Sequence, residues 1–216
     1  MEGVLSIINW LNYNQGSVMA ILTFVYVIAT YRILLSNKKS ADAAITANKQ
    51  QLSLQLFERR LESYNTLNKW VNIAKILLIP NPPIGTTLDI FNSLLYNSTT
   101  DKDINYINSS LQNIEYCLSR PLSQEKILEL KSTHKRLLNE RSLKLYATLN
   151  VELNLIKQIE ILFPNIEFKT IKSFSDSFMN AVIEQDTKNI DDLKQNVRIL
   201  LDKNVLDTIW NTIKEI

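Results

Sequence analysis

Apolar residues are distributed in two regimes along this chain. Up to Leu35 they crowd together almost without charge, and beyond Lys38 they recur three and four residues apart among polar ones. From Gly3 to Tyr31 no charged residue occurs; Glu2 precedes the gap, and Arg32, Lys38 and Lys39 follow it. Inside it, Val18, Ile21, Leu22, Phe24, Val25, Val27 and Ile28 form a run that Ile33, Leu34 and Leu35 extend past Arg32. A spanning helix needs about 20 mostly apolar residues. Gly16–Leu35 meets that length if Arg32 snorkels its guanidinium to the headgroups. Tyr26 and Tyr31 lie near one end and Trp10 and Tyr13 near the other, the places of interfacial aromatics. The pattern predicts one transmembrane helix, with those seven apolar residues and Arg32 as the membrane anchor.

Two other readings compete. A cleaved signal peptide wants its basic residues before the apolar run and a small-residue cleavage site after it, and neither occurs here. A buried helix of a soluble protein competes more strongly, because the uncharged core from Val18 to Tyr31 is short. With the anchor accepted, the Lys/Arg bias puts the N-terminus outside and residues 36–216 in the cytoplasm. Val4, Ile7, Ile8 and Leu11 share one helical face, which either lies at the outer interface or continues the spanning helix.

The rest of the chain reads as helices. Between Lys38 and Ile79 there is no Gly or Pro, so an unbroken helix is expected up to Pro80. It starts as a polar, Ala-rich stalk (Ser40–Asn48) and then acquires a heptad of Phe57, Tyr64, Val71 and Leu78. Pro80, Pro82 and Pro83 stop it. Thr86 or Thr87 is expected to cap a short helix carrying Leu88, Phe91 and Leu95, and residues 96–100 read as a polar loop. Thr100 and Asp103 have capping-box spacing ahead of a stripe of Ile104, Ile107, Leu111, Ile114 and Leu118. Ser123 is expected to cap a long helix reaching Phe163, with Ile127, Leu130, Leu137 and Leu138 in its first half and Leu145, Leu149, Leu153 and Ile156 in its second. Three amphipathic segments follow, around Ile171–Val182, Ile190–Leu200 and Leu206–Ile213. The expected fold is all-α: residues 1–35 form the interfacial segment and transmembrane helix, 36–56 the stalk, and 57–216 a cytoplasmic antiparallel helical bundle.

Composition narrows the chemistry. Gly3, Gly16 and Gly85 are too scattered for a phosphate loop. One Cys (Cys117) and one His (His134) make neither a zinc site of the usual kind nor a disulfide. A net charge of +2 gives no case for nucleic acid. His134 lies on the apolar side of its helix, with Glu129 and Glu140 facing elsewhere, and Cys117 is expected to be a reduced, partly buried thiol. Asp191/Asp192 and Asp101/Asp103 sit at helix starts, where acidic residues suit the dipole. Lys131, Lys135, Arg136, Arg141 and Lys144 read as a solvated face. The reading is of a non-enzyme with no cofactor and no metal.

Arg60 stands out because it falls on a seam otherwise formed by Phe57, Leu61, Tyr64 and Leu67. A charge there is costly unless paired, so a carboxylate from another helix or subunit is expected, against the alternative of a guanidinium in water. The apolar helix ending in Tyr31-Arg32, the Ala-rich stalk and the run Leu56-Phe-Glu-Arg-Arg-Leu-Glu-Ser-Tyr64 together resemble a loose group of bacterial membrane-anchored proteins. These are largely uncharacterised, and some are encoded beside phage-defence genes. The resemblance covers residues 15–75 and brings no catalytic motif, so no residue role follows from it.

Two functions fit these features. One is a membrane-tethered module that recruits or senses a cytoplasmic protein partner and self-associates through the stalk and the seam at Phe57, Arg60, Leu61, Tyr64 and Leu67. The other is a defence or toxin-like effector that oligomerises and breaches the bilayer, with Asn12, Asn14, Gln15, Thr23 and Thr30 as polar surface between helices.

Overall fold

The computed structural model describes residues 2–80, 84–98, 102–184 and 187–214; among these the chain is helical, with no strand. Pro82, Pro83, Thr100 and Asp101, to which the turn, the capping box and one carboxylate pair were assigned, lie outside the described residues, as do the side chains of Leu11 and Thr86. The chain divides into two compact units, residues 1–55 and 56–216.

The first unit holds α1 (Glu2–Tyr13) and the first part of α2 (Gln15–Ala74). Asn14 interrupts the helix only locally. Its N–H donates to Trp10 O at 3.0 Å, the Val18 N–H donates to Asn14 O at 3.0 Å, and its side-chain amide also reaches Trp10 O. Of the two placements open to the Val4 segment, the hydrogen bonding follows helical continuation. Within α2 lies the one described helix long and apolar enough to cross a membrane, and 0% of its apolar window is buried.

In the second unit α2 becomes a core helix, burying Leu67, Trp70, Val71, Ile73 and Ala74. The α-helix ends at Ala74 rather than at Ile79, and Lys75–Leu78 winds as a 3-10 turn. Pro80 accounts for this: it forces Ile79 into an extended conformation (ψ 128°), and the last turn tightens ahead of it. Next comes α3 (Ile84–Ser98), which includes Tyr96–Ser98 where a loop was expected. There the Ser98 hydroxyl donates to Leu95 O at 3.0 Å, and Tyr96 packs on the core, so polar side chains bond locally without breaking the helix. Thr87 sits inside α3 and is buried, so it does not cap it.

Across the turn at 119–123, α4 (Lys102–Leu118) packs on α5 (Gln124–Lys157). Ser123 caps α5 as expected, its Oγ accepting from the Lys126 N–H at 3.4 Å. The long helix does not run unbroken to Phe163; Gln158 interrupts it, and α6 (Ile159–Leu162) completes the segment. Ile104, Ile107 and Leu111 are buried, but from Gln112 to Lys144 no side chain is. Leu138, expected on the apolar stripe, is exposed, because this half of α5 has only α4 to pack against.

The best-packed pair is α7 (Phe168–Glu184) on α8 (Thr187–Asp202), with α9 (Val205–Lys214) closing the chain. Their stripes, Ile171/Phe174/Phe178/Val182 and Ile190/Leu193/Val197/Leu200, are wholly buried. Phe178 is the hub, stacked on Trp70 at 4.4 Å and flanked by Phe91 and Phe174 at 5.8 and 5.9 Å. Burying each such ring is worth about 1.5–3 kcal/mol before ring–ring geometry is counted. Between α8 and α9, Asn204 takes a left-handed φ of 49°, which Asn tolerates better than most residues and which lets the chain reverse at once.

Candidate functional site

The residues expected to form the anchor, Ile21, Leu22, Phe24, Val25, Val27, Ile28 and Arg32, are all exposed on α2, and Val18 is half-exposed. Since apolar side chains occur all round the helix, its surface has no polar face to offer water. Thr23 turns its hydroxyl inward, donating to Met19 O at 2.8 Å.

The seam residues part company. Leu67 is fully buried and Tyr64 stacks on Trp210 of α9 at 5.2 Å, so both are used within the chain. Leu61 is half-buried and Phe57 is exposed. Among the described residues of its own chain, Arg60 forms no ion pair with a carboxylate. Its guanidinium lies over the Phe163 ring at 5.2 Å, an aromatic face taking the role expected of an acid. Its Nε and the Ser63 Oγ are buried without a hydrogen-bond partner.

Glu152 of α5 forms a polar centre that sequence reading missed. It accepts from Lys69 Nζ at 2.6 Å and from the Trp70 indole N–H at 2.5 Å, joining two neighbours on α2 to a helix more than 80 residues later. A faint signal existed: Glu152 falls inside the apolar stripe of Leu149, Leu153 and Ile156. His134 also has a partner, Glu115 of α4, at 3.3 Å between Nε2 and Oε1; inspecting its own helix alone could not find it. Cys117 is exposed rather than partly buried, because α4 turns that face outward. In the basic cluster Lys131, Lys135 and Arg136 are exposed, whereas Lys144 pairs with Asp103 at 2.7 Å and Arg141 lies over Tyr96 at 3.5 Å. Among the described residues no three His, Cys, Asp or Glu side chains gather as a metal site would require.

Arg141 leads to a cleft of about 420 Å³ between α3, α4 and α5. Its walls are mainly polar: the amides of Asn92, Asn108 and Gln112, the Tyr96 ring, and the carboxylates of Asp89 and Glu115. Asn108 Oδ1 and Arg141 Nε are buried in these walls without hydrogen-bond partners. No protein-family model, curated protein or solved structure matches the chain.

Proposed function

We propose that the protein is a single-pass membrane-anchored module whose helical body, residues 56–216, engages a protein partner at the cytoplasmic face of a bacterial inner membrane. One observation carries the reading: the uncharged run from Gly3 to Tyr31 leads into a helix, starting at Gln15, whose apolar window is 0% buried. A core helix of a soluble protein would bury that surface. Ten Leu, Ile, Phe and Val side chains between Val18 and Leu35 favour insertion by roughly 0.3–0.6 kcal/mol each, and Arg32 at the end of the span reaches the headgroups. The positive residues that follow the span argue for an outside N-terminus. The exposed Phe57 and half-buried Leu61 are the seam positions left for a partner, including a second copy of the chain.

The bilayer-breaching alternative draws less support. Thr23 and Asn14, two of the polar groups it needs between helices, have backbone partners within their own helical segments. Fractionation of cells expressing the full chain and a variant lacking residues 1–35 tests the proposal. The full chain should resist carbonate extraction, the truncated chain should be soluble, and neither should collapse the membrane potential. A fully soluble full-length chain defeats the anchor; depolarisation that requires residues 1–35 transfers the case to the effector.

A further inference from the structure

We propose that the cleft between α3, α4 and α5 is a binding site for a small, polar, singly charged carboxylate, held by Arg141. The guanidinium is already oriented by the Tyr96 ring 3.5 Å away, yet among the described residues it has no ion-pair partner and its Nε has no hydrogen-bond partner. An arginine presents a planar fork of donors that fits the two oxygens of a carboxylate. Because Nε is closed off in the wall, the fork offered to a ligand is the pair of terminal nitrogens.

The rest of the cleft selects within the anions. Asp89 and Glu115 line the same space and oppose a ligand of high negative charge, which disfavours polyphosphates and dicarboxylates. Glu115 is itself held by His134. Asn92 and Gln112 provide amide donors and acceptors, suited to a hydroxyl or amino group beside the carboxylate. At about 420 Å³ the cleft falls in the range of small-molecule sites. Two of the four buried, unpartnered side-chain polar atoms in the described chain, Asn108 Oδ1 and Arg141 Nε, belong to its walls. A buried polar atom without a partner is costly, a cost more readily understood at a binding site than in an idle groove.

The test uses the full chain in detergent micelles, titrated with L-serine, L-lactate, L-malate and inorganic phosphate, with binding read by calorimetry and by shifts of the Tyr96 ring resonances. The expected result is saturable binding of L-serine or L-lactate at millimolar or lower concentration, weaker binding of malate and phosphate, and loss of at least about tenfold in affinity in Arg141→Lys, which keeps the charge and loses the fork. Gln112→Ala, which leaves the Arg141–Tyr96 stack alone, should weaken binding without changing the melting temperature. Absence of saturable binding by all four probes overturns the proposal, as does equal binding by Arg141→Lys or a preference for malate or phosphate.

Discussion

Glu152→Ala should be among the most damaging substitutions of a charged residue in the chain, by an amount the local geometry sets. Trp70 is 0% exposed and its ring is stacked on Phe178 at 4.4 Å, so it cannot swing its N–H to water when the acceptor goes. An orphaned buried donor costs about 1–3 kcal/mol. The Lys69 pair, with side chains 28% and 15% exposed, adds about 1 kcal/mol after allowance for solvent screening. The total is about 2–4 kcal/mol, or roughly 5–12 °C in Tm for a chain of this size. Glu152→Gln keeps an oxygen for the indole and loses the charge, so about 1 kcal/mol is expected. Urea unfolding of the full chain in micelles, followed by tryptophan fluorescence, measures both, and a double-mutant cycle with Trp70→Phe isolates the coupling. If Glu152→Ala lies within about 0.5 kcal/mol of the unaltered protein, or if Gln is as harmful as Ala, the indole–carboxylate bond does not hold α5 to α2 in the way described.

Three further outcomes are expected. Val25→Arg places a charge near the middle of the proposed span, where about 2.5–3.5 kcal/mol of insertion energy is lost; alkaline extraction should then release a large share of the chain, and unchanged retention would contradict the span. Phe178→Ala removes the hub of the aromatic cluster and should cost about 3–5 kcal/mol in the same unfolding assay. The Lys203 ammonium, 2.7 Å from Glu167, lowers that carboxyl below its ordinary value of 4.5. A depressed carboxylate contributes stability that is present above its unfolded value and lost as pH falls through the folded one, so Lys203→Met should lower stability slightly at neutral pH, leave it unchanged at strongly acid pH, and flatten the fall between, below about pH 4.5.

What could be read ahead of the structure was what depends on one helix at a time. The stripes of α7 and α8 are complete in the sequence, and the Ser123 cap is a local geometry that four residues decide. Pairings between helices were not legible, because periodicity fixes which face is apolar but not how neighbouring helices are rotated against each other. That rotation sets Phe163 rather than an acid beside Arg60, brings Glu152 to Trp70, and gives His134 a partner from α4. Tyr96–Ser98 depart from the expected loop for a related reason: their polarity suggests a loop, but the serine satisfies itself within the helix and the tyrosine has a core to lean on. The carboxylate cleft was invisible for the same cause, since its walls come from three helices and Arg141 is one of several unremarkable basic residues on α5.

The stretch from Gln112 to Lys144, where no side chain is buried, has a kinetic meaning. Local opening there exposes little new apolar surface, so it separates from the rest of the body at a fraction of the global unfolding free energy. Its amides should exchange with solvent well before those of α7 and α8, and trypsin should cut first at Arg120, Lys126 or Lys131 while the C-terminal helices stay intact. Because Glu115 and Arg141 lie within this stretch, the side of the cleft that holds the guanidinium is also the part of the body that opens most readily, and a bound carboxylate would slow both exchange and cleavage there.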